Sequence, residues 1–97
     1  MEDEVFLRVK RIDPRANIPV KRTEDAGYDL YALYDKEYVL LKPQEIWLAP
    51  TGLSIEFPKN WVFMLFERSS TGSKGIARRC GVIDSGYRGE LKVALQN

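Results

Sequence analysis

An all-β fold is the reading that three features of this sequence support. Apolar and polar residues alternate over short runs. Prolines and glycines break those runs at intervals of about 8–12 residues. No window of adequate length shows helical periodicity with caps. Together these predict an antiparallel sandwich or barrel, with residues 1–97 forming one domain.

The elements follow in order. Val5, Leu7 and Val9 alternate with Phe6, Arg8 and Lys10, the period-two pattern of a half-buried strand. Asp13-Pro14-Arg15 and Pro19 then mark a loop. A second short strand puts Tyr28, Leu30 and Ala32 on one face and Asp29 and Tyr31 on the other. Residues 37–41 and 45–49 are two further runs, separated by the turn signal Lys42-Pro43-Gln44. After the break at Pro50-Thr51-Gly52, Leu53, Ile55 and Phe57 alternate cleanly, and Pro58-Lys59-Asn60 supplies the next turn. Residues 61–66 are a continuous apolar run, which predicts a strand buried on both faces. Residues 68–75 read as a polar loop and 81–90 as a hairpin, and Leu91, Val93 and Leu95 mark the closing strand.

Composition removes several classes of function. With 15 basic against 14 acidic residues, nothing argues for nucleic acid or an anionic membrane as partner. No apolar run is long enough to span a bilayer. The acidic start, Met1-Glu2-Asp3-Glu4, lacks the pattern of a signal peptide. A single cysteine forms no internal disulfide, which points to an intracellular protein with Cys80 as a small buried residue. The absence of histidine excludes serine-type triads and imidazole acid–base work. Any catalysis is left to carboxylates, backbone amides and cations, with or without a metal held by oxygen ligands.

Three segments depart from simple strand patterns. In residues 26–32, Gly27 precedes a strand carrying Asp29 on its polar face, which is either a solvated group or a functional one. Residues 68–75 gather hydroxyls, flexible backbone and two cations. Such a loop offers charge-assisted bonds to phosphate oxygens, or is a mobile surface loop; it lacks the glycine spacing of a P-loop. In residues 81–90, Asp84 follows an apolar strand end and Tyr87 lies three residues on. A carboxylate so placed can act as general base, and a tyrosine beside it can pack on a sugar. The alternative is a hairpin whose Asp and Gly only set turn geometry.

In this order the three segments resemble motifs one, two and three of the homotrimeric dUTPases. The first motif, Ala-Gly-x-Asp-Leu, is met by residues 26–30, and the third, Gly-Val-Ile-Asp-x-x-Tyr-Arg-Gly-Glu, by residues 81–90. Asp13-Pro14-Arg15 and Pro50-Thr51-Gly52-Leu53 also resemble family features. The resemblance implies a dUTPase-like jelly-roll or distorted β-barrel, assembled as a homotrimer with shared active sites. It implies hydrolysis of dUTP to dUMP and pyrophosphate, with Asp84 activating the water that attacks the α-phosphorus. Mg²⁺ would bridge the phosphates, held by Asp29 through water. Arg68, Ser69 and Ser70 would contact the phosphates. The backbone at Val82 and Ile83 would pair with uracil, Tyr87 would pack under deoxyribose and exclude a 2′-hydroxyl, and Lys92 would line the nucleoside pocket.

Three departures accompany the resemblance. The family's Pro-Arg-Ser-Gly-Leu stands here as Glu67-Arg68-Ser69-Ser70-Thr71, and Gly86 replaces an acidic residue before Tyr87. Asn97 falls ahead of the family's fourth and fifth motifs, so the expectation is a C-terminally incomplete form with reduced or absent turnover. A non-catalytic nucleotide-binding or scaffold relative is the alternative. A dCTP deaminase would need a glutamate where this chain has Ala94.

Overall fold

The computed structural model describes residues 5–97, so the acidic start lies outside the described residues. The strands are β1 (Arg8–Arg11), β2 (Ile46–Pro50), β3 (Leu53–Glu56), β4 (Phe63–Met64), β5 (Ala77–Arg79), β6 (Val82–Ile83) and β7 (Lys92–Gln96), with one helix, α1 (Ser69–Ser73), between β4 and β5. All pairings are antiparallel: β1 with β3, β7 between β2 and β5, and β4 with β6. Among the described residues no helix is long and apolar enough to cross a membrane.

The core forms where alternation was cleanest. Leu53, Ile55 and Phe57 point inward from β3 and its end, and meet Leu65 and Leu91. Leu7, Val9, Leu30, Phe63, Ile83 and Val93 pack around this centre. Leu53 and Leu91 are fully buried, each contributing about 1.5–3 kcal/mol through area removed from water.

Four expectations are corrected. The run 61–66 is not buried on both faces: Trp61, Val62, Met64 and Phe66 are exposed, Leu65 is buried in the core and Phe63 packs half-buried against it. Its strand is two residues long, and alternate residues Phe63 and Leu65 face the core while Met64 and Phe66 face away from it. Residues 28–32 form no strand; a single bridge joins Asp29 to Val20, and Leu33 donates to the Pro50 carbonyl at 2.8 Å. Residues 37–41 likewise pair with no strand. Cys80 is exposed, because it and Gly81 both take positive φ (61° and 124°) and turn the chain at a sharp corner between β5 and β6.

The polar segment after β4 is ordered into α1 rather than left as loop. Its C-terminus carries the reason. Gly75 adopts φ 91°, letting its N–H reach the Gly72 carbonyl (3.0 Å) while the Ile76 N–H reaches that of Thr71 (3.2 Å). These are the two bonds of a Schellman cap, which satisfies carbonyls that the helix leaves open.

Candidate functional site

The sites expected from sequence fall in three places. Asp84 ends β6, with its side chain exposed. Its carbonyl accepts the Tyr87 N–H at 3.0 Å, closing a tight turn. Tyr87 folds back over Gly89, where a Cβ would lie 2.6 Å from the tyrosine oxygen. Its hydroxyl donates to the Glu90 carbonyl at 2.6 Å. Lys92 opens β7, its ammonium 4.0 Å from the Glu90 carboxylate. Asp84, Tyr87 and Lys92 therefore belong to one short segment organised around Glu90.

Arg68, Ser69 and Ser70 stand elsewhere. Arg68 is the N-cap residue of α1, with no side-chain cap bond, and all three are exposed. The root of this segment is fixed by Glu67, whose carboxylate accepts the Arg78 N–H at 2.9 Å. That bond holds the Glu67 carboxyl below the usual carboxylate range. Arg78 in turn lies over the Phe66 ring, 4.6 Å from its centroid.

The β4–β6 register sets the relation between these two groups. Met64 pairs with Val82 and Phe63 with Ile83. Arg68 thus lies beyond one end of the ribbon and Asp84 beyond the other. Asp29 lies on a third segment, beside Leu30, which packs on the core. Within one chain the structure places Asp84, Tyr87 and Lys92 on one segment, with Val82 and Ile83 leading into them, and sets Arg68–Ser70 beyond the other end of the β4–β6 ribbon.

Two concavities occur elsewhere. One of about 330 Å³ is lined by Asp13, Arg15, Asp35, Gly52 and Glu90 among others. The other, about 660 Å³, is lined mainly by apolar residues including Tyr34, Leu40, Trp47 and Leu95. None of the nine expected site residues lines either.

Among the described residues no three His, Cys, Asp or Glu side chains converge as a metal cage. Asp29 is exposed and pairs with Val20 through its backbone, which leaves its carboxylate available. One available carboxylate fits Mg²⁺, which retains waters and relies on substrate phosphates rather than an all-protein cage. It does not fit a structural site that excludes water.

Sequence reasoning missed the supports of the Tyr87 turn. Thr51, a buried polar residue, donates its hydroxyl to the Leu91 carbonyl at 2.6 Å and accepts the Leu53 N–H at 3.2 Å. The Glu90 carboxylate accepts the Gly52 N–H at 3.0 Å. The signal was available: a Thr-Gly pair between two strands is a turn whose amides need acceptors.

An antiparallel jelly-roll-like β fold, with polar segments gathered at its strand ends, is the class that these features define. A family model described as dUTPase matches residues 14–97, and the chain belongs to the dUTPase family. It is 40% identical over 93 residues to the deoxyuridine 5′-triphosphate nucleotidohydrolase of Leptospira interrogans, covering 92% of this chain and 63% of that protein. A solved mutant dUTPase from phage phi11 of S. aureus, described in terms of a structural Mg(II) ion, superposes with a TM-score of 0.81 at 33% identity, over 95% of this chain and 60% of that one. A mutant dUTPase of Staphylococcus bacteriophage 80alpha solved with dUpNHpp gives 0.82 at 34% identity, over 95% and 54%. The chain thus spans less than two thirds of the length of each of these relatives.

Proposed function

We propose that this chain supplies the Asp84-centred part of a dUTP-hydrolysing site, completed by other subunits of a homotrimer. The observation that carries the reading is the Asp84–Tyr87 turn. It holds an exposed carboxylate at a strand end with an aromatic ring pinned three residues away. Asp84 takes a proton from water as the water oxygen bonds to the α-phosphorus. The bond from that phosphorus to the α,β-bridging oxygen breaks, leaving dUMP and pyrophosphate. General-base help of this kind accelerates a reaction by about 10²–10⁴-fold; positioning and charge neutralisation supply the rest.

The remaining residues bind and orient. Among the described residues no strand pairs with the outer edge of β6, so the backbone at Val82 and Ile83 offers groups for a uracil edge. Tyr87 packs under the deoxyribose, and Lys92 flanks the nucleoside. Arg68, Ser69 and Ser70 meet the phosphates with a guanidinium, hydroxyls and first-turn amides that lack helical acceptors. Their distance from Asp84 in one chain supports a site shared between subunits. Asp29 would hold Mg²⁺ through water, and the ion would neutralise charge on the phosphates. A nucleoside triphosphate substrate and a single cysteine fit an intracellular setting.

The test is pyrophosphate release from dUTP with Mg²⁺, with UTP, dCTP and Asp84→Asn in parallel. Release from dUTP alone, reduced at least 100-fold in the variant, is the expected result. Binding of dUTP with no release by either form would favour a non-catalytic nucleotide-binding relative.

A further inference from the structure

We propose that Glu90 is a positioning residue: it ties the Tyr87 turn to the Thr51–Gly52 turn and thereby fixes the Tyr87 ring. The inference deepens the reading above and rests on Tyr87 serving as the wall against the sugar. Glu90 acts through both its ends. Its carbonyl receives the Tyr87 hydroxyl at 2.6 Å, and its carboxylate receives the Gly52 N–H at 3.0 Å. Gly52 is a rigid anchor. It is buried at φ 71°, and its own carbonyl accepts the N–H groups of Ile12 (2.8 Å) and Asp13 (3.3 Å).

The next residue is held as firmly. Thr51 donates to the Leu91 carbonyl, and the Leu91 N–H donates to the Leu53 carbonyl at 2.7 Å. On the other side, the Ser54 hydroxyl donates to the Arg88 carbonyl at 2.8 Å. The segment from Arg88 to Leu91 is thus stitched along residues 51–54, and Glu90 is the stitch whose peptide also carries the tyrosine. Tyr87 is exposed over much of its ring, so core packing alone does not orient it. The hydroxyl bond and the close approach to Gly89 do. Exclusion of a 2′-hydroxyl needs a wall that does not yield, and this strut supplies the stiffness.

Glu90→Gln and Glu90→Asp separate reach from charge. Glutamine keeps the length and an acceptor oxygen for Gly52 but removes the charge beside Lys92. Aspartate keeps the charge and falls one methylene short. Two measurements are made on each folded variant, with Glu90→Ala alongside. One follows the Tyr87 ring resonances by NMR without nucleotide; the other is the ratio of dUTP to UTP affinity with Mg²⁺. The expected result is a Tyr87 ring unchanged in Glu90→Gln and shifted or broadened in Glu90→Asp and Glu90→Ala. The preference for dUTP should fall about tenfold in the latter two, the effect of one lost hydrogen bond to a charged, part-buried group.

If Glu90→Ala does not fold, the Gln and Asp pair still decides. Identical Tyr87 signals in wild type, Gln and Asp overturn the proposal. So does an unchanged dUTP/UTP ratio in a destabilised Asp variant, which would make Glu90 merely structural. A ring that moves as expected in a chain with no preference for dUTP supports the strut and overturns Tyr87 as the sugar wall.

Discussion

The hydroxyl of Thr51 donates to the carbonyl oxygen of Leu91, 2.6 Å away and 40 residues later in the chain, at a point where both residues are buried. Valine at position 51 keeps the shape and removes the bond, leaving the Leu91 carbonyl and the Leu53 N–H without this partner. The cost is about 1–3 kcal/mol, or roughly 4–8 °C of melting temperature per kcal/mol for a domain of this size. Thermal unfolding of Thr51→Val beside Thr51→Ser checks it, with serine losing the smaller part.

Gly52 has no room for a side chain. A Cβ there would meet the Ala16 Cβ and the Leu33 Cδ2 at 2.9 Å each, and φ is 71°. Strain and overpacking together make Gly52→Ala lose about 2–4 kcal/mol. Urea unfolding should show a lowered midpoint. An unchanged midpoint would mean that residues 12–16 and 33 move aside freely.

Asp29→Asn tests the metal assignment. The side chain is exposed, so the melting temperature should hold within about 2 °C. The Mg²⁺ concentration giving half-maximal dUTP affinity should rise about tenfold or more. If the metal requirement stays the same, Asp29 is not the residue that holds the ion.

The pH dependence follows from four carboxylates held below their ordinary range. Asp13 is lowered by hydrogen bonds from Arg15, Asp25 by those from Arg22, Glu56 by that from Arg8, and Glu67 by the Arg78 backbone N–H. A depressed folded pKa means that the unfolded chain takes up protons first as pH falls. The stabilisation is complete above the unfolded values, about 4 to 4.3, and is lost as pH drops through the folded ones. Stability should be level from about pH 7 to 5 and decline below about pH 4. High salt should shrink the part of the decline that comes from Asp13, Asp25 and Glu56, whose arginine pairs lie at the surface, and leave that from Glu67, held by a backbone N–H, largely intact.

Periodicity revealed most where burial is one-sided. Leu53, Ile55 and Phe57 alternate because β3 has one face on the core, and all three are buried as expected. It failed at residues 61–66, because an apolar run says nothing about what lies opposite each residue. It also failed at Asp29, whose neighbours have strand-like composition but meet only one bridging residue, Val20. The helix after Arg68 went unread because its cause is a cap at Gly75 rather than an apolar stripe. The candidate site was legible as three separate segments. The β4–β6 register that sends Arg68 and Asp84 to opposite ends is a long-range property, which local pattern does not carry.

The strand order has a kinetic consequence. None of the seven strands pairs with its neighbour in sequence, and β7 is the partner of both β2 and β5. As the polypeptide emerges from the ribosome, β2 waits until residues 92–96 are made before it has a strand to pair with. Closing loops this long sets the pace at about milliseconds to seconds, as for other non-local β topologies. During that wait the β2 edge that β7 later covers is open, the kind of unpaired strand edge through which unfinished β chains associate.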